Sequence, residues 1–472
     1  MRRISFLSFS VSVGALLAAG SSLLGGCESD SPSTPVTTEG GAVDGGGGGG
    51  DDANVPSTCA PVTGSGTTHD KSLEADETWT AAGSPHVVTA ILSVPAGKTL
   101  TIEPCAVVQV KPPGGLLVTG KLSAEGAADK RIQIGRADAA TAWRNIETRK
   151  GAEVRLAYTT IEGGGDPNGG RLGQFAMLDV RGDQDIAPQP ILFVDHVTVK
   201  GSGSLGIWMR EGGGFAPGSN ALTVTGGTTF PMTVWGRAAG GIPGGSYTGN
   251  ATDEIFLPAN GGLDDIQEDT TLGARGVPYR VGGELGGVRM RVQSTKGVPL
   301  LTIEPGVTMR FGKNVALIVE TASTTGPASG ALKAEGTADK PIVFTSAEAT
   351  PAAGDWTGIV LGKKADPRTK ISNAKISYAG GPSGISSFDC PSPANTTFSN
   401  EGAILVIGDK PDTAFVTNTT IEQSAGDGIV RGWTGDPVDF LGTNTFANVA
   451  RCQQTFPKPS VGVCPNPAPC PK

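Results

Sequence analysis

Three histidines, His69, His86 and His196, are all the imidazole that 472 residues offer for acid–base or metal chemistry. No CxxC pair is present and no histidine lies near the C-terminal cysteines, which speaks against a metal site. Carboxylates are more plentiful. The densest patch is Asp179, Asp183 and Asp185 around Arg181. Such a set would hold Ca²⁺ on its carboxylates and leave the arginine as a base, although solvated turn residues are the plainer reading. Asp264-Asp265 forms a second pair, in a glycine-rich stretch. A Ser-His-Asp nucleophile has no support, because no G-x-S-x-G elbow precedes a helix. The glycine clusters Gly163–Gly165 and Gly212–Gly214 are turn glycines rather than phosphate cradles, since no helix follows them. Residue types and spacing thus assign no catalytic, cofactor-binding or metal-ligating set.

The elements that would position any of these groups are strands. Gly (72) and Pro (34) make up more than a fifth of the chain, and they are the two poorest helix formers. Only 17% of residues are charged while Val, Ile, Leu and Thr are common, so wholesale disorder is not expected. With 37 basic and 45 acidic residues the net charge is −8, which excludes a polybasic nucleic-acid binder.

The first 26 residues read as an export signal. Arg2 and Arg3 precede an uncharged stretch from Ile4 to Gly20, too short and too rich in Ser and Gly for a membrane span. Leu24-Gly25-Gly26-Cys27 then resembles the lipobox of bacterial lipoproteins. The resemblance implies that Cys27 is lipidated, becomes the mature N-terminus and anchors the protein to the cell envelope. The outer membrane or cell surface is expected ahead of the inner membrane, although Glu28 after Cys27 is not a decisive sorting signal. Palmitate-type acylation by more than one chain makes such an anchor stable. Residues 27–57 are low in complexity, with an unbroken glycine run from Gly45 to Gly50. They should form a flexible tether with a reach of ~30 Å.

Six cysteines remain: Cys59, Cys105, Cys390, Cys452, Cys464 and Cys470. An even number in an exported chain favours disulfides. Every connectivity is formally open, but clustering favours Cys59–Cys105, Cys390–Cys452 and Cys464–Cys470.

Residues 58–455 carry an internal duplication, with copies at about 75–235 and 268–450 and a Pro/Cys-rich tail at 456–472. Leu100-Thr-Ile-Glu-Pro-Cys105 recurs as Leu301-Thr-Ile-Glu-Pro-Gly306. Ala124-Glu-Gly-Ala-Ala-Asp-Lys130 recurs as Ala334-Glu-Gly-Thr-Ala-Asp-Lys340. Ile132 and Ile134 match Ile342 and Phe344, Trp143 matches Trp356, His196 matches Asn418, and Gly206-Ile207 matches Gly428-Ile429. Short β-favouring runs alternate in polarity between Gly, Pro, Asp and Asn, with no sustained helical period. Self-similarity of this kind is the mark of a solenoid. The stretch 231–268 has no counterpart after Val449 and reads as a short returning segment or surface loop.

The run from Leu301 through Lys340-Pro-Ile-Val-Phe-Thr-Ser346 to Gly354-Asp-Trp-Thr-Gly-Ile359 resembles the module of bacterial right-handed parallel β-helix repeat proteins. The resemblance implies an all-β coil over roughly residues 75–450, with about 20–25 residues a turn and on the order of 15 turns. Some β-helices cleave polysaccharides, but the N-T-D, D-D with G-H-G, and R-I-K motifs of polygalacturonase-like enzymes are absent. Trp143 and Trp356 occupy matching positions, which favours a structural role over sugar stacking. The expectation is a non-enzymatic, lipid-anchored envelope protein for adhesion, envelope structure or polysaccharide binding. It should be a monomer, with membrane contact through Cys27 and no nucleic-acid partner. The alternative is a polysaccharide lyase or glycoside hydrolase with an unrecognised site.

Overall fold

Apolar residues at every second position settle how this chain folds. In Thr99–Ile102 the side chains of Leu100 and Ile102 are buried while Thr99 and Thr101, which alternate with them, are only half-buried. One strand of this length cannot bury its apolar face alone, so it needs copies of itself above and below. In the computed structural model it pairs in parallel with Lys121–Glu125, which pairs with Glu153–Ala157, which pairs with Gln189–Lys200. Parallel neighbours require a long crossover, and here the crossover is the rest of each turn. The chain advances by one strand spacing, ~4.8 Å, per circuit. This is a parallel β-helix. Among the described residues the one antiparallel strand pair joins Asp389–Cys390 to Phe456–Pro457. The structure describes residues 55–472, without 139, 169–174, 184–187, 321–327, 363, 386–387, 392–399, 467 and 472, all within the compact unit Gly48–Lys472. Cys27, the export signal and nearly all of the tether lie outside the described residues.

The corners are as repetitive as the strands. Tyr158 and His196 both have positive φ, at 44° and 54°, and the register Ala157↔Asp195 sets them side by side. In the second copy Asn373 and Asn418 do the same at 47° and 48°. The left-handed region costs a non-glycine residue about 1–2 kcal/mol, and the ladders on both sides of each corner hold it there. The match between His196 and Asn418 is therefore a shared corner. The His196 ring stacks on Tyr158 with centroids 4.6 Å apart, and its Nδ1 lies 2.7 Å from Asp195 Oδ1.

The two copies are not aligned face on face. Ile132–Arg136 pairs with Val107–Val110 and Thr159–Glu162, in the sheet built from the first two strands of each early turn. That sheet has 13 strands, and the repeat of Ile132–Arg136, Ile342–Ser346, belongs instead to a second sheet of 13 strands. In the first copy that sheet contains the third strand of each turn, such as Gly115–Val118, Ile146–Thr148, Leu178–Arg181 and Ile207–Arg210. The sheet runs on through Met232–Val234 and Ile255–Leu257 to Tyr279–Val281. Residues 231–268 are thus not a returning segment or loop. They are turns of the coil, in which the 3-10 helix Gly236–Gly241 replaces a strand. Their irregular length turns the second copy by one face about the axis.

Trp143 and Trp356 are fully buried, and their Nε1 atoms donate to Glu162 O at 2.8 Å and Ser377 O at 2.9 Å. They are equivalent core residues. Disulfides close both ends of the coil. Cys59 bonds Cys105, but the C-terminal pairs are Cys390–Cys464 and Cys452–Cys470, which corrects the pairing expected from sequence proximity. The reason is the antiparallel pair. It points the chain leaving Pro457 past Cys390, while Cys452 stays buried in the last turn.

Ile342 and Phe344 are fully buried and Val343 between them is partly exposed. Ile342→Asp should cost more than ~3 kcal/mol, because it sets an unpaired carboxylate in a stacked apolar ladder. Val343→Asp should cost about 1 kcal/mol or less. Denaturant titration of both variants reads the contrast, and equal losses would contradict the strand register.

Candidate functional site

The outward side chains of the second 13-stranded sheet, the one that runs from Ile91–Val94 to Thr445–Ala447, stack in columns, because every pairing along it is in register. Glu147 lies beside Asp179, Asp179 beside Trp208, Trp208 beside Thr233 and Thr233 beside Phe256. Each step is one rung, ~4.8 Å. Two residues further along each strand, Arg181 lies beside Arg210. Together with the loops above the sheet these columns wall a groove of about 810 Å³. One half of the groove is ionic and the other aromatic.

In the ionic half, Arg210 Nε and Nη2 donate to the two oxygens of Asp179 at 2.9 and 2.6 Å. Arg181 donates twice to Glu211 Oε2, at 3.1 and 2.6 Å, and once to Glu147 Oε1 at 3.3 Å. Glu147 is also held by Arg149 at 2.5 Å and Arg144 at 3.3 Å. Burial pushes the Asp179 carboxyl above its usual range, opposed by Arg210. Burial also works against the Arg210 charge, but Asp179 holds its pKa up. The pair thus depends on both members. Cation–π contacts join the two halves: the Arg210 guanidinium sits 4.1 Å from the Trp208 ring centroid, and Arg144 sits 4.5 Å from that of Phe175. In the aromatic half Phe230 and Phe256 stack at 5.3 Å in a small cluster with Ala176 and Leu205. Trp208 and Trp235 are half-buried on the wall.

The second copy supplies a control. Its third strands carry Val360 in place of Glu147, Leu405 in place of Asp179 and Val430 in place of Trp208, joined by the registers Val360↔Leu405↔Val430. These aliphatics pack with Ala316 and Ile407. The coil therefore folds without ions or aromatics at these positions, and the groove of the first copy is additional to what the fold requires.

The sequence singled out Asp179 and Arg181, and the structure brings both into the groove. Asp183 instead pairs with Lys150 at 2.6 Å, and Asp185 lies outside the described residues. Asp264 accepts from the backbone N–H of Gly236 and of Asn260, and burial pushes its carboxyl up to about 6. Asp265 faces Gln293 at 2.9 Å and Arg291 at 3.9 Å. This aspartate pair ties turns together. His69 and His86 share a hydrogen bond of 3.0 Å at the N-terminal end, packed against Trp79. No cluster of three or more His, Cys, Asp or Glu fit for a metal occurs among the described residues. The groove members Glu147, Arg210, Glu211 and Trp208 were not singled out from sequence. Setting Glu147 against Val360 and Trp208 against Val430 in the repeat alignment is the signal that finds them.

Removing Arg210 strands a buried carboxylate. Arg210→Ala should lose ~2–3 kcal/mol, below the fully buried limit because the arginine is part-exposed. Adding Asp179→Leu, the residue type that the second copy uses there, should recover most of the loss in the same unfolding assay. A second carboxylate nest lies at the C-terminal end, where burial pushes Asp427 up to about 7, with Asp389 and Glu401 raising it and Arg451 opposing. A folded pKa above the ordinary 3.8 means stability that is full below pH ~4 and lost as pH rises through about 7. The melting temperature of Asp427→Asn should therefore fall less than that of the parent between about pH 5 and about pH 8.

Among known proteins, residues 269–383 match the family described as pectate-lyase like beta helix domain. No curated protein and no solved structure matches the chain. The matched stretch covers about the first two-thirds of the second copy, and the groove lies almost entirely before it. The likeness is to the β-helix, and it is the coil that the chain shares with that family.

Proposed function

We propose that this chain is a lipid-anchored cell-envelope protein whose groove binds a polysaccharide without cleaving it. The observation that carries the reading is the difference between the copies: Glu147, Asp179 and Trp208 stand where Val360, Leu405 and Val430 suffice for folding. A long groove with aromatic walls and fixed polar groups suits a chain of sugar rings, which present flat C–H faces and hydroxyl edges. The pectate-lyase-like match is consistent with a polysaccharide-related role. Membrane attachment through Cys27 and the tether of residues 27–57 would hold the coil at the envelope.

Cleavage is the second reading, and the same match is what favours it. Its acid or base would have to come from Glu147, Asp179 or Glu211. Each of these is held by at least one arginine, which leaves none poised as an unpaired general base.

Purified protein should bind at least one polysaccharide on a glycan array, and Trp235→Ala should weaken that binding about tenfold while the melting temperature stays near that of the parent. Reducing-sugar and unsaturated-product assays should stay at background. Turnover that disappears in Glu147→Gln would favour the enzyme reading instead. For the anchor, Cys27→Ala should leave the precursor unprocessed and in the aqueous phase of a detergent separation. Absence of lipid on Cys27 by mass spectrometry of the parent would contradict it.

A further inference from the structure

The pairing inside the groove bears on what kind of sugar chain it accepts. Among the described residues no lysine lines it, and the four arginines that do, Arg144, Arg149, Arg181 and Arg210, each contact Glu147, Asp179 or Glu211. An acidic sugar that is to be clamped by two parallel N–H groups, as an arginine clamps a carboxylate, would have to draw an arginine away from the carboxylate that it already holds. The side chains of Glu147 and Asp179 are only 6% and 4% exposed: Glu147 would lose one of its three arginines, and Asp179 would be left buried without Arg210. Hydroxyl groups need no such exchange. They can donate to the remaining lone pairs of a paired carboxylate and accept from spare guanidinium N–H groups while the ion pairs stay closed. Beyond the ionic half the polar wall is uncharged: Thr229, Thr233 and Asn260 lie among Trp208, Trp235 and the exposed Leu285. Trp208 Nε1 and Thr229 Oγ1 have no hydrogen-bond partner among the described residues.

Resting on the polysaccharide reading of this groove, we infer that its ligand is an uncharged polysaccharide, stacked on Trp208 and Trp235 and hydrogen-bonded at its hydroxyl edge to the closed Arg–carboxylate ladder. The ladder acts as a rigid hydroxyl rack, and it discriminates against polyuronates and sulfated glycans because they compete for arginines already engaged.

The test is calorimetric titration of the full chain with two sets of polymers. The neutral set is a β-glucan, a galactan and a mannan. The acidic set is polygalacturonate, alginate and dextran sulfate. Each titration is run at low and at high salt. A neutral polymer should bind with an affinity that changes less than about threefold with salt, because no charged groups are exchanged. Asn260→Ala, at an exposed position, and Trp235→Phe should each weaken it with the fold intact. If an acidic polymer binds, with affinity collapsing at high salt, and the neutral set does not, the inference is overturned while the groove stands as a polysaccharide site. If neither set binds, the polysaccharide reading fails and this inference with it.

Discussion

Everything in this molecule depends on the rungs staying in register. A parallel ladder between successive turns satisfies the backbone of both, and it does so only if each turn has the same number of faces and bends at the same places. That is why Tyr158 and His196, or Asn373 and Asn418, accept the left-handed region at successive corners. A single corner out of place would move a whole strand's side chains from inside to outside. The inward columns are correspondingly plain: Leu100, Leu122, Val154 and Leu192 succeed one another in the core of the first copy. The outward columns are under no such demand, and chemistry can accumulate there without disturbing the coil.

Register also explains the character of the groove. Side chains that share a column sit one rung apart, close enough that like charges repel and opposite charges pair. Arg181 and Arg210 are adjacent in one column, and they coexist because Asp179, Glu147 and Glu211 are woven between them. The cation–π contacts extend the same order into the aromatic half, since Trp208 is held in place by the arginine that closes on Asp179. The result is a surface that is polar and yet stiff. Stiffness matters for recognition, because groups that are already ordered lose less freedom when a ligand settles on them.

The sequence made the coil legible because its demands are local and repeated. Alternation at Ile342-Val343-Phe344 names the buried face, and the recurrence of Leu-Thr-Ile-Glu-Pro names the solenoid. The equivalence of Trp143 and Trp356 is equally visible, since both fill the same core position. The groove was harder to see. Its members come from several turns, with Glu147 and Glu211 separated by 64 positions in the chain, and no motif spans them. The patch around Arg181 was noticed for its density, but density in sequence mixed a groove residue, Asp179, with Asp183, which serves a different ion pair. Residues 231–268 misled because they lack a repeat partner, although their strands Met232–Val234 and Ile255–Leu257 continue the sheet without a break. Disulfide partners were misjudged for a similar reason. Closeness along the chain is a poor guide where a tail folds back antiparallel across the last turn.

A duplicated protein ordinarily inherits two chances at whatever its ancestor did, and two identical sites along one track would grip a polymer with avidity. The one-face rotation between the copies removes that option. The sheet that floors the groove does not lead on to the corresponding surface of the second copy. It leads to a different face, where Arg280 and Arg310 flank the buried Glu254. The corresponding surface has been carried around to another side and filled with Val360, Leu405 and Val430. The rotation thus releases each half from the other: the outward columns of the first carry ions and aromatics, those of the second carry aliphatics, and a lengthening of the coil became a divergence of its faces.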